Sequence, residues 1–274
     1  AADDAEVMSA WAGLGYYARA RNLLAGARAV AARGGFPNSE AELLKLPGVG
    51  PYTAAAVASI AFDQRAVVVD GNVERVMSRL FAVESPLPAA KAELRERADS
   101  LTPDQRPGDY AQAVMDLGAT ICTPRSPSCS RCPWQGRCAA YAAGNPERYP
   151  LKSPKAARPT RYGTAWWIEA DRHVLLVTRP PKGLLGGMVA LPTSDFSLEP
   201  DDAVAPVTAA WSRVPEPVRH AFTHFDLVLE VAKAILPARP NLHGAWHPVS
   251  EIGAAGLPTL FKRAAEAATM PRLL

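Results

Sequence analysis

The chain has 274 residues, 48 % hydrophobic and 21 % charged, with a formal net charge of +3. That length allows two domains, and from that composition a soluble globular protein is expected. No apolar run approaches the ~20 residues of a membrane span, and the opening Ala1-Ala2-Asp3-Asp4 is no basic, apolar leader, so a cytoplasmic protein with no membrane partner is expected.

In chain order, residues 16–33 (YYARARNLLAGARAVAAR) are rich in helix-forming Ala, Leu and Arg and stop at Gly34-Gly35, a sensible helix end. Ser39 and Glu42 form a capping box before Leu43 and Leu44. Leu46-Pro47-Gly48-Val49-Gly50 then leads into a helix that starts at Pro51 and runs through TAAAVASIAF. Proline suits a first turn, where its missing N–H costs nothing. The two glycines let the backbone turn tightly, and their N–H groups with the next helix N-terminus make an anion site. In a DNA-binding protein that anion is a phosphate, held without sequence readout; an ordinary helix–helix turn is the plain alternative. Another helix begins near Asp70-Gly71-Asn72 and covers VERVMSRLFAV, and two more fit 89–100 and 108–120. Asp70 lies 20 residues beyond Gly50, where an Asp before a helix is a routine N-cap.

All four cysteines lie in the pattern Cys122-x6-Cys129-x2-Cys132-x5-Cys138. A disulfide framework would be spread through a small secreted domain, so clustered thiols point to a metal or cluster site. Zinc sites usually carry two Cys-x2-Cys knuckles; this loop has one and no His. From Arg125 to Arg161 eight basic residues (Arg125, Arg131, Arg137, Arg148, Lys152, Lys155, Arg158, Arg161) accompany one acid, Glu147, a local +7 that leaves −4 for the rest. Such a stretch suits a phosphate backbone, or simply a solvated linker. Gly144, Pro146, Pro150, Pro154 and Pro159 punctuate 144–160, which reads as an interdomain linker. Beyond it AWWIEA, HVLLVTR and LVLEVAKAIL read as strands.

LPGVGPYTAAAVASIAF followed by VVVDGNVERV resembles the helix–hairpin–helix glycosylase superfamily, and WAGLGYYARARNL resembles its adenine DNA glycosylase (MutY) branch. The cysteine spacing is similar to the iron–sulfur loop of those relatives. RPPKGLLGGMVALP and VRHAFTHFDL resemble the family's Nudix-like domain, so the likeness covers nearly the whole chain. It implies a multidomain fold: an all-α glycosylase domain over 1–121 with its hairpin element at 39–62, a [4Fe–4S] loop over 122–143 on Cys122, Cys129, Cys132 and Cys138, the linker 144–160, and an α+β Nudix-like recognition domain over 161–274. The implied partner is double-stranded DNA containing adenine opposite 8-oxoguanine or guanine, bound by a monomer that is nucleoid-associated when on DNA.

The resemblance also implies roles. Asp70 matches the superfamily's catalytic Asp, a carboxylate that stabilises positive charge on the sugar as the glycosidic bond breaks. Adenine leaves well only when a ring nitrogen is protonated. The family's acid is a Glu upstream of WAGLGYYARARNL, this chain begins too late to contain it, and Glu6 does not match the motif. A fragment, or an impaired enzyme, is therefore expected. Tyr52 stands where endonuclease III-like lyases place a Schiff-base Lys, so base hydrolysis without efficient strand cleavage is expected. Tyr16 matches a wedge that replaces lost stacking when a base flips. Gly48, Gly50, Arg125, Arg131 and Arg137 would face phosphates. Phe222-Thr223-His224 matches the lesion-reading segment. Guanine N7 is an acceptor, whereas N7 of 8-oxoguanine carries a hydrogen that the Thr223 hydroxyl can accept; the family usually has Ser there. No Glu-rich helix follows Gly186-Gly187 in MVALPTSDFSLEPDD, so diphosphate hydrolysis is not expected. A non-catalytic iron–sulfur lesion-binding protein and a bifunctional lyase are the alternatives.

Overall fold

The structure, a computed structural model, describes residues 2–11, 13–154, 157–180, 182–200 and 203–270. It divides into two compact units, Asn22–Lys155 and Ala1–Arg21 with Ala156–Leu274. Helix α1 (Asp4–Ala10) opens the chain, and α2 (Tyr17–Arg33) crosses the boundary between the units.

The helical unit continues with α3 (Glu40–Leu43), α4 (Pro51–Phe62), α5 (Gly71–Leu80), α6 (Lys91–Leu101), α7 (Pro107–Thr120) and the short α8 (Ala139–Ala142). Ser39 caps α3 by accepting from the Glu42 N–H at 3.4 Å, half of the expected capping box. Helix α5 stops short of Val83 because Ala82 takes a left-handed φ of 47° that no helix continues. Two apolar clusters hold the unit. Leu43, Leu46, Ala54, Ala58, Val68 and Ala111 form one; Val73, Val76, Met77, Leu94, Val114 and Leu117 form the other. Small residues let the helices close: a Cβ on Gly108 would lie 2.5 Å from the Ser59 carbonyl oxygen.

Residues 144–153 differ from a free linker. Pro146–Arg148 form a 3-10 turn, the Leu87 N–H donates to the Leu151 carbonyl at 2.8 Å, and the Ser153 N–H donates to Leu87 at 3.0 Å. Tyr149 is buried, and Arg148 pairs with Glu84 at 2.7 Å. Aromatic burial and an ion pair fasten this basic stretch to the helical unit. Lys155 lies outside the described residues.

The second unit is built on a seven-stranded mixed sheet: β1 (Thr160–Ala170), β2 (His173–Thr178), β3 (Val189–Ala190), β4 (Ser212–Arg213), β5 (Val218–Ala221), β6 (Asp226–Leu236) and β7 (Ala245–Pro248). The long central pair β1 and β6 is parallel from Thr160 beside Asp226 to Ala170 beside Leu236. Alternation sends neighbouring side chains to opposite faces. Trp167 packs with Leu227, Leu229 and Val231 under Phe261 of α9 (Thr259–Thr269). Trp166 and Ile168 face the other way, where irregular chain carrying Ala203, Ala205, Val207, Trp211 and Leu242, together with Trp246 of β7, covers them.

Candidate active site

Asp70 is the N-cap of α5: its Oδ1 accepts from the N–H groups of Asn72 at 2.9 Å and Val73 at 2.8 Å. Its Oδ2 accepts from the Asn72 side-chain amide at 3.1 Å. The carboxylate is therefore fixed by the helix it starts, and one oxygen has acceptor capacity left for chemistry.

Two arginines that the sequence reading missed extend from the same helix. Arg75 donates to Asn72 Oδ1 at 2.8 Å, to the Gly118 carbonyl at 2.6 Å and to the Cys122 carbonyl at 2.8 Å. Burial pulls its pKa down, while Cys122 and Asp70 push it back up. Arg79, only 2 % exposed, donates to the carbonyls of Tyr149 at 3.1 Å, Thr123 at 2.7 Å and Pro124 at 3.0 Å, and to Cys122 Sγ at 3.3 Å. Its own carbonyl lies 3.4 Å from Cys138 Sγ. The available signal was spacing: Arg75 and Arg79 are one turn apart, and Arg79 falls in the buried stripe of Val73, Val76 and Met77.

Cys122, Cys129, Cys132 and Cys138 line one small cavity with Arg79. Among the described residues no three His, Cys, Asp or Glu groups close on a single ion. The thiols nonetheless feel one another: burial first, then neighbouring cysteines, push Cys129 up, and burial is also the main cause of the rise at Cys132. Four soft donors crowded beside a buried guanidinium fit a thiolate-bound iron–sulfur cluster, which Cys122, Cys129, Cys132 and Cys138 would hold and which would clamp this loop. Arg125, Arg131 and Arg137 are exposed around this loop.

The hairpin glycines differ. Gly48 has φ +78°, and a Cβ there would meet Asn22 Cβ at 2.6 Å, so it is restricted twice; Gly50 is the extended N-cap of α4 with open space around it. Tyr52 in the first turn of α4 is 43 % exposed, and its hydroxyl lies 3.5 Å from Met115 Sδ.

In the other unit, Phe222–Phe225 form the turn joining β5 to β6, closed by the Phe222 N–H donating to the Phe225 carbonyl at 2.8 Å. Phe222 stacks obliquely on Phe225 and on His220, with centroids 4.8 and 4.6 Å apart. Burial, then nearby Arg263, pulls the His220 pKa down. In the same turn Thr223 and His224 are exposed. Tyr16, 74 % exposed with φ 49°, lines a cavity of about 430 Å³ together with Arg21, His220, Phe222 and Thr223. The structure thus brings Tyr16 to the Phe222-Thr223 loop, and it links Asp70 to the cysteine loop through Asn72 and Arg75; His224 does not line that cavity.

Comparison with known proteins assigns three segments of the chain. Residues 1–103 match the HhH-GPD superfamily of base excision DNA repair proteins, 122–138 the iron–sulfur binding domain of endonuclease III, and 163–267 the NUDIX domain. The class is therefore an iron–sulfur, helix–hairpin–helix base excision repair protein with a Nudix domain. The chain is 42 % identical to an adenine DNA glycosylase of Arabidopsis thaliana over 72 % of its own length and 34 % of that protein's. It is 34 % identical to that of Rattus norvegicus over 94 % of its length and 62 % of the relative's. A solved thermostable thymine-DNA glycosylase shares 34 % identity over 52 % of this chain and 67 % of that one, with a TM-score of 0.47. The chain belongs to the adenine DNA glycosylase family. It spans less than two thirds of these two curated relatives.

Proposed function

We propose that this chain removes adenine from DNA by hydrolysis when the base is mispaired with 8-oxoguanine or guanine. The observation that carries the reading is Asp70: a carboxylate fixed by three hydrogen bonds at the start of α5, in a chain of this family. As the glycosidic bond breaks, positive charge grows on the sugar, and a preorganised carboxylate stabilises it without reorganising. Its fixed position supports an electrostatic role.

Tyr52 supports a monofunctional outcome, since a phenol forms no Schiff base with the sugar. Gly48, Gly50, Arg125, Arg131 and Arg137 serve the phosphate backbone. Thr223 accepts from the N7–H of 8-oxoguanine, Phe222 and His224 flank it, and Tyr16 fills the gap beside it. The protein acts as a monomer on duplex DNA, in the nucleoid. Among the described residues no helix is long and apolar enough to cross a membrane.

Single-turnover adenine release from a duplex with adenine opposite 8-oxoguanine tests the reading. Abasic product that breaks only after alkali is expected. Abundant borohydride-trapped enzyme–DNA adduct would instead make it a lyase, and tight lesion binding without base release would make it a non-catalytic binder.

A further inference from the structure

We propose that Gly118 is a positioning residue for Asp70; this rests on the reading of Asp70 as the reacting carboxylate. Two of the three hydrogen bonds to Asp70 come from Asn72, through its main-chain and side-chain amides. Asn72 in turn is seated against α7 at Gly118. A Cβ on Gly118 would lie 2.7 Å from Asn72 Cβ, 3.1 Å from its carbonyl oxygen and 3.2 Å from its carbonyl carbon. Gly118 sits inside α7 with no left-handed φ, so its backbone would accept any residue but proline. The space requires glycine.

The carbonyl of Gly118 adds a second control. It accepts from Arg75 NH2 at 2.6 Å, and the same nitrogen donates to Asn72 Oδ1 at 2.8 Å. One residue therefore sets Asn72 by contact, through its missing side chain, and by direction, through the guanidinium it anchors. Asn72 lies in the first turn of α5, so any push on it turns the cap that holds Asp70. Charge stabilisation depends on placement, and an error of about 1 Å costs on the order of a hundredfold in rate.

Gly108 is the internal comparison. It lies on the same helix and is equally crowded, with Ser59 O at 2.5 Å and Ile60 Cα at 2.8 Å, yet it meets α4 and none of the partners of Asp70.

The experiment compares Gly118→Ala, Gly108→Ala and Asp70→Asn in the full chain. It reads single-turnover adenine release, duplex binding, cluster absorbance and amide exchange at Asn72 and Val73. Gly118→Ala is expected to slow release about 10- to 100-fold, to speed exchange at both amides, and to leave duplex binding and cluster absorbance intact. Gly108→Ala is expected to lower the melting temperature without changing release or those amides. Gly118→Ala with parental release and protected amides, beside an inactive Asp70→Asn, would overturn the positioning role and leave the reading of Asp70 standing. Parental release by Asp70→Asn would sink that reading. In that case, or if the parent chain releases no adenine, exchange at Asn72 and Val73 alone decides whether Gly118 holds the cap. If Gly118→Ala does not fold, Asn72→Gly in the same chain removes the Cβ it meets; folding should return, and failure to return would overturn the proposal.

Discussion

The region around α5 and the β5–β6 turn hold their chemical groups in opposite ways. Around α5, hydrogen bonds do it: Arg75 and Arg79 grip main-chain carbonyls of the cysteine loop, and Asn72 grips Asp70. At the turn, rings do it: His220, Phe222 and Phe225 pack on one another in the loop that carries the exposed Thr223. Hydrogen bonds fix direction, which a carboxylate facing a developing charge needs. Aromatic packing fixes a platform at low entropy cost and leaves the tip free to meet a base edge. On the proposed roles of Asp70 and Thr223, the difference teaches that a reacting group and a reading group need different support.

The strongest way to break this contrast is Arg79→Met. It leaves three carbonyls without their buried donor, at about 1–3 kcal/mol for each group stranded. The expected loss is at least about 3 kcal/mol in urea unfolding, together with loss of cluster absorbance; a stable variant that keeps its cluster would show that the packing of α5 suffices. Thr223→Ala probes the other side. It should leave stability unchanged and cut the preference for 8-oxoguanine over guanine by about tenfold, roughly 1.4 kcal/mol, with Thr223→Ser retaining it. Equal discrimination by the Ala variant would remove Thr223 from recognition.

The smallest effect sharpens the rule that buried polar groups must be paired. Among the described residues the Tyr110 hydroxyl is a buried side-chain oxygen with no partner. Burial pushes its pKa up from 10.0 to about 12. The folded state therefore holds its proton longer than the unfolded one, and stability should fall as pH rises from 10 through about 12. Tyr110→Phe should raise stability at neutral pH by up to about 1 kcal/mol and flatten that alkaline slope. A destabilised variant would show that the hydroxyl has a partner after all.

Local rules made much of the fold legible. Gly34 after α2, Ser39 before α3, Pro51 opening α4 and Asp70 opening α5 are near-neighbour signals, and the long strands β1, β2 and β6 show as apolar, β-branched runs. The two-residue strands β3 and β4 were not legible, because partners distant in sequence define them. Tyr149 and Leu151 illustrate the same limit: proline and charge suggested a tether, and pairing with Leu87 overrode both. In the site, Asp70 and the cysteines carry local patterns. Beyond the local Arg75–Asn72 contact, Arg75, Arg79 and Gly118 act through residues 43 or more positions away, or through the space one of them leaves empty.

The sheet face under Trp166 has a further consequence. Its cover around 203–211 is irregular chain, with Val204 91 % exposed and Trp211 tied back to Val207 at 3.2 Å. Segments without a helix or strand ladder open at low free energy and are where proteases cut first. Trp166, Trp211 and Trp246 line that face. The molecule thus carries its own optical gauge: as this cover lifts, indole rings pass from a dry to a wet surrounding, and their emission reports local opening before the sheet beneath gives way.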